Sequence, residues 1–233
     1  MSTYILVPGM WIGAWAWRDV TNDLRAAGHE VHPLTLTGVA ERSHLRGPDV
    51  TLDTHIEDIV RLAEVADLRD IVLVGHSYGG LPVSAAALRL RDRITRVVYV
   101  DSGPLPEGMC QLDLSSDAER AGLTGDAMAP RAWDPAADPV LLAGLDEHAL
   151  ELLRTRSTPH PLASIRQPLG RRATSADVET TLIACTFPME QITAMMAAGH
   201  PFFAGLGEAT IVPLRTGHWP MLSEPKALAA ALA

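Results

Sequence analysis

The chain has 233 residues, 47% of them apolar, and a formal net charge of -9. That length suits one domain with an insertion, and the acidic balance argues against nucleic acid or an anionic membrane as a partner. Cys110 and Cys185 form neither a framework of bridges nor a metal spacing, which fits a reducing compartment.

The opening "MSTYILVPG" lacks a basic leader followed by a long apolar segment. No apolar run reaches the roughly 18 residues of a membrane span. A cytoplasmic protein is therefore expected. The first strand is predicted at "TYILVPG". A helix follows in "AWAWRDVTNDLRAAG", where Trp17, Val20 and Leu24 share a face and Gly28 ends the pattern. "EVHPLTLTG" reads as the second strand. "DTHIEDIVRLAEVA" has helical spacing of Ile56, Ile59, Val60 and Ala63, with Asp53 or Thr54 placed to cap it. "DIVLVG" is a doubly buried strand. "GGLPVSAAALRLRD" is a helix that tolerates Pro82 in its first turn. "ITRVVYVDSG" is a strand again, and "VETTLIACT" and "EATIVPLRTG" give two more. "SEPKALAAALA" closes the chain as a helix.

Strands interleaved with helices predict an α/β fold, a mostly parallel sheet with helices on both faces. The pattern breaks from residue 104 to about 177, where prolines are frequent and helical pieces short. That length exceeds an ordinary loop. It reads as an inserted, mainly helical cap, with residues 1–103 and 178–233 forming the core. Trp133, Met128 and the leucines of this segment suggest an apolar pocket wall. Arg154, Arg156 and Arg166 read as its solvated surface, or as contacts to an anionic substrate group.

"GHSYG", Gly75 to Gly79, fits G-x-S-x-G between a strand and a helix. In such an elbow the serine takes a strained conformation on a sharp turn, and flanking glycines avoid collisions with the neighbouring elements. Ser77 is the candidate nucleophile. Its hydroxyl needs a histidine base. His218, in "RTGHWPMLSEP" after the last strand, has the chain position for it. His76 sits inside the elbow and is assigned to packing and hydrogen bonding. His29 and His32 have no carboxylate or cysteine set to match, so no metal site is read.

The base in turn needs a carboxylate. Asp101, ending "RVVYVD", is preferred, and Glu190, four residues past "TLIACT", is the alternative. An oxyanion would be held by the N–H groups of Tyr78, next after the serine, and Met10, in the loop after the first strand. "GVAERSH" reads as a rim loop in which Glu41 and Arg42 pair locally or touch the cap.

These pieces resemble the α/β-hydrolase superfamily. More narrowly, "LVPGMWIGAWAWRDVTNDLRAAGHEVHPLTLTGVAERSH", "GHSYGG", "YVDSGPLPEG", "STPHPL" and "TGHWPMLSEP" resemble its small esterase branch of plant methyl-ester esterases, hydroxynitrile lyases and bacterial relatives. The resemblance implies a serine–histidine–acid triad and no cofactor. It places the nucleophile at Ser77, the base at His218 and the oxyanion donors at Met10 and Tyr78. Two departures stand out. Pro8-Gly9 replaces the usual His-Gly, and "CTFPME" has Phe187 and Pro188 where plant members carry an aspartate. The lyases use a lysine beside the site, whereas the single lysine here, Lys226, falls in the closing helix.

The expectation is a serine hydrolase of small to medium, fairly apolar carboxylic esters, working through an acyl-enzyme on a small-molecule substrate, as a monomer or homodimer. The alternatives are a natural-product cyclase or lyase using the same triad as acid and base, and a non-catalytic binding protein.

Overall fold

In the computed structural model, which describes residues 1–117, 120, 123–203 and 205–233, eight strands run in chain order. They are β1 (Thr3–Val7), β2 (Glu30–Pro33), β3 (Ile71–His76), β4 (Ile94–Val100), β5 (Ala127–Met128), β6 (His160–Pro161), β7 (Glu179–Ala184) and β8 (Thr210–Pro213). Six form one sheet in the order β2-β1-β3-β4-β7-β8, and every neighbouring pair is parallel. β5 and β6 form a separate antiparallel pair.

The period-two geometry of a strand sorts the apolar runs onto two faces. Ile5, Val7, Leu73, Val97 and Tyr99 point to one side. There they meet Ile56 and Ile59 of α2 (Leu52–Val65) and Val83 of α3 (Gly80–Arg89). Tyr4, Leu6, Val72, Val74, Val98 and Val100 point to the other. They pack on Val20 and Leu24 of α1 (Arg18–Ala26) and on Leu228 and Leu232 of the closing helix. Because both faces are covered, the strands read as unbroken apolar runs rather than alternating ones.

The remaining helices are α4 (Glu147–Arg156), α5 (Leu162–Arg166), α6 (Met189–Ala197), α7 (Pro220–Ser223) and α8 (Pro225–Leu232). Asp146 caps α4 by accepting from Ala149 N–H at 2.8 Å. Among the described residues, α4, α5 and a 3₁₀ turn at Gln111–Leu114 are the named helical elements between β4 and β7. The short strands β5 and β6 fall in the same connection. Its many prolines lack the N–H a helix interior needs.

Local chemistry moved several boundaries. The second strand stops at Pro33, short of the expected 38. Leu34 N–H still reaches Leu6 O at 2.9 Å, and beyond it side chains hold the chain: Thr35 Oγ1 accepts from Ala14 N–H at 2.7 Å, and Thr37 N–H donates to Asp58 at 2.7 Å. The "AWAW" turn is 3₁₀, and α1 starts only at Arg18. Thr51, not Asp53 or Thr54, is the N-cap of α2, and Thr54 reaches back to its N–H at 3.1 Å.

From β1 the chain crosses to β2 on one side, whereas β3 lies on the other. Such a switch point opens a crevice at the carboxyl ends of the strands. The loops leaving β1, β3, β4 and β8 carry Met10, Ser77, Asp101 and His218 in turn.

Candidate active site

Ser77 follows directly on β3 with a φ of 51°, in the left-handed region that a residue with a side chain visits at a cost. The surroundings hold it there because the turn is packed on glycine at each step. A Cβ on Gly75 would stand 2.8 Å from Gly79 O, and one on Gly79 would stand 2.7 Å from Pro8 O. A Cβ on Gly9 would lie 2.9 Å from the Ser77 Cβ, so the β1 loop can reach the serine only as glycine. The flanking glycines are thus explained by contact.

His218 Nε2 lies 2.9 Å from Ser77 Oγ, and its Nδ1 lies 2.6 Å from Asp101 Oδ2. A carboxylate can only accept, so Nδ1 carries the proton and Nε2 offers its lone pair to the serine hydroxyl. The histidine loop is itself pinned. His218 N–H donates to Leu141 O at 2.7 Å, Gly217 N–H to Ala143 O at 3.0 Å, and the buried His76 donates from Nε2 to the His218 carbonyl at 2.6 Å. Burial, reinforced by the neighbouring His218, lowers the His76 pKa to about 3 and keeps that ring neutral.

Asp101 sits just past β4 with a φ of 45° and its side chain buried. Its Oδ1 accepts from the N–H groups of Cys185 and Thr186 at 3.1 and 3.0 Å, and the Thr186 hydroxyl donates to Oδ2 at 2.8 Å. Burial pushes the carboxyl pKa up. The hydrogen bond and charge of His218, with the Thr186 contacts, outweigh it and hold the group below its usual range. Glu190 lies in the first turn of α6 with its side chain exposed, and the His218 Nδ1 contact goes to Asp101. The chain just past the end of β7 supplies the donors that hold Asp101 at the end of the neighbouring strand β4.

Met10 lies in the loop after β1 and lines the cavity beside Ser77. Its N–H has no hydrogen-bond partner among the described residues. Tyr78 N–H falls in the first turn after the serine, where helical amides lack intrahelical partners. The cavity over Ser77 and His218 has a volume of about 250 Å³ and a largely apolar lining. Trp11 and Trp219 stand in its wall, each edge-on to the buried Trp133 at 5.8 and 5.1 Å between centroids. Phe187 and Phe202 are also in the lining.

Residues 4–231 match the Alpha/beta hydrolase family. The chain belongs to that family. Among similar proteins, a carbendazim hydrolyzing esterase of Nocardioides sp. (strain SG-4G) is 46% identical over 102 residues, 44% of this chain and 42% of that protein. Methylesterase 8 of Arabidopsis thaliana is 34% identical over 100 residues, 42% of this chain and 37% of its own length. The matched stretch therefore spans about two fifths of each relative. Of solved structures, an extracellular alpha/beta-hydrolase from a Paenibacillus species superposes with a TM-score of 0.75 at 18% identity, covering 99% of this chain and 97% of that one. The methylesterase MES16 from Arabidopsis gives 0.74 at 20%, covering 100% and 97%. Those two likenesses speak for the fold.

In this alpha/beta hydrolase the structure brings Ser77, His218 and Asp101 together and leaves Glu190 apart. Several cavity residues were not singled out from the sequence. Arg131 is a wall residue, paired with Asp138 at 3.1 Å and lying 5.8 Å over the Trp11 ring. Thr186, Gln111 and Phe202 also face the cavity. Only the "CT" at the end of β7 hinted at one of them. Arg154, Arg156 and Arg166 are exposed, in keeping with their reading as solvated surface, and none lines this cavity. Arg154 pairs with Glu147, Arg156 lies over Trp15, and Arg166 borders a different cleft. Trp133 backs the wall instead of lining it. Arg42 pairs with Asp58 at 3.0 Å, not with its neighbour Glu41. Lys226 is exposed on α8.

Proposed function

We propose that the protein hydrolyses small to medium, fairly apolar carboxylic esters through an acyl-enzyme on Ser77. The observation that carries this reading is the unbroken line from Asp101 Oδ2 through His218 to Ser77 Oγ, at 2.6 and 2.9 Å, opening on an apolar cavity. The names of the relatives, a carbendazim hydrolyzing esterase and a methylesterase, support ester cleavage. A cavity of about 250 Å³ favours substrates with one short arm, such as methyl esters.

In the reaction, Ser77 Oγ attacks the acyl carbon as His218 Nε2 takes its proton. The C=O electrons move to oxygen, and the N–H groups of Met10 and Tyr78 receive that charge. His218 returns the proton to the departing alcohol as the tetrahedral adduct collapses. Water then repeats the sequence on the acyl-enzyme, with His218 again as base, and frees the acid. Asp101 keeps the imidazole in the tautomer this needs and stabilises its cationic form. Residues 104–177, taken as a cap over the core of 1–103 and 178–233, supply Gln111, Arg131 and Leu141 to the substrate wall. A purely binding role would be favoured by an acid out of reach of His218, and Asp101 is within reach.

Hydrolysis of p-nitrophenyl acetate to octanoate, and of methyl esters followed by acid release, tests the reading. Wild type is expected to favour short chains, and Ser77→Ala to lose about 10⁶-fold in kcat. Equal rates for the two proteins would sink it.

A further inference from the structure

The cavity wall does not include the Tyr78 side chain. It runs into the core beneath α2, fully buried with His55, His160 and Ser164, none of which takes part in the proton transfers above. Burying three polar rings costs desolvation that phenylalanine or leucine would avoid. The hydrogen bonds define what these rings do. His55 Nε2 lies 2.9 Å from the Thr37 carbonyl, which can only accept, so Nε2 carries the proton. Burial lowers the His55 pKa to about 4, so the ring is neutral and Nδ1 is a lone pair. The Tyr78 hydroxyl, 2.7 Å away, must therefore donate to it. Burial likewise pushes the phenol pKa up, which keeps its proton in place.

The anchor extends outward. Thr37 N–H and Oγ1 donate to Asp58 at 2.7 and 2.8 Å, and Arg42 closes on the same carboxylate. His55 and Asp58, three residues apart, share one face of α2. On the other side the His160 ring stands edge-on to Tyr78 at 4.7 Å. Ser164 spends its proton on Pro161 O at 2.8 Å and accepts from His160 at 3.1 Å.

We infer that His55 is a positioning residue: by accepting from the Tyr78 phenol it fixes the peptide after Ser77, and so aims the Tyr78 N–H at the developing oxyanion. The strained φ of Ser77 gives such an anchor a use beside the glycine packing. A residue at 51° stays there only where its neighbours over-determine it, and the next residue is the nearest neighbour available. The buried line from the Tyr78 hydroxyl through His55 to the Thr37 carbonyl, with donor and acceptor matched at each step, supplies that rigidity. The inference rests on the esterase reading above.

Two substitutions divide the contacts of His55. Asn places an acceptor where Nδ1 stands and loses the donor to Thr37. Gln places a donor where Nε2 stands and loses the acceptor for Tyr78. Tyr78→Phe removes the same bond from the other side. With p-nitrophenyl acetate, H55Q and Y78F are expected to lose about tenfold in kcat with KM within twofold, less than the ~10²–10³ of a whole donor lost. H55N recovers most of that loss although its Tm also falls. The double variant H55Q/Y78F loses no more kcat than either single one, because both remove one interaction. If H55Q folds poorly, Y78F alone decides. A kcat within twofold of wild type in folded Y78F, with only Tm reduced, overturns the inference and leaves the esterase reading intact. A wild type that neither turns over esters nor is labelled at Ser77 by a fluorophosphonate overturns both.

Discussion

Asp101 and Glu190 are both acidic residues just beyond strand ends, yet their surroundings separate them. Asp101 is buried, its two oxygens take donors from Cys185, Thr186 and His218, and its charge is held by those contacts. Glu190 faces solvent. Asp101→Asn keeps the shape but can stabilise the wrong imidazole tautomer, and kcat is expected to fall about 10⁴-fold. Glu190→Gln should stay within twofold. Steady-state kinetics of the pair on one ester checks this, and a reversed order would reassign the acid. Arg131 is the charged side chain that the connection between β4 and β7 brings to the cavity wall. Replacing it with Met should lower kcat/KM for esters bearing a carboxylate more than for neutral esters of the same size, by about tenfold for one charge-assisted hydrogen bond lost. An unchanged ratio would remove Arg131 from substrate selection.

The elements work as mounts for loops. β1, β3, β4 and β8 end at one edge of the sheet, and each delivers one group to the site there. The loop after β8 is steadied by the connection between β4 and β7. Leu141 O and Ala143 O receive the His218 and Gly217 amides. The fit is close: a Cβ on Gly217 would stand 2.4 Å from Leu141 O and 2.5 Å from Ala143 O. Gly217→Ala must push backbone against backbone. The expected cost is about 2 kcal/mol, a Tm lowered by about 4–8 °C, and a disproportionate fall in kcat as His218 leaves Ser77. Calorimetry with kinetics on the folded fraction measures both, and a normal kcat would show that the loop tolerates the shift.

Across the whole molecule, three neutral histidines are sealed in the interior. Burial lowers the pKa of His55 to about 4 and of His76 to about 3, and holds His160 well below its ordinary value of 6.5. Between pH 6.5 and 4 the unfolded chain binds these protons and the folded chain does not. Stability is therefore complete above about pH 6.5 and falls as pH drops, by up to about 1.4 kcal/mol per pH unit for each histidine. Asp101 has the opposite origin and the same direction. Its depressed carboxyl adds stability that is present above 3.8 and lost as pH falls through the folded value. Urea midpoints at pH 7.5 and 5.0 should differ clearly, with little change in slope. Equal midpoints would mean that these rings are hydrated and chargeable in the native state.

The amino-acid sequence alone determines whatever is local and periodic. Apolar runs fixed the six sheet strands and the flanking helices, because alternation within a strand and the 3.6-residue repeat of a helix are properties of neighbouring residues. The elbow was legible too, since glycines around a serine have few other uses. Folding alone decided what depends on distant partners. Asp101, not Glu190, meets His218, and β7 beside β4 lends it Cys185 and Thr186. Arg131 entered the cavity wall from a segment whose prolines give no periodic signal. His55 reads from the sequence as one more helix residue. Only the crossing of α2 over the turn after Ser77 sets its ring 2.7 Å from the Tyr78 hydroxyl, 23 residues away, where burial and a hydrogen bond give it a use.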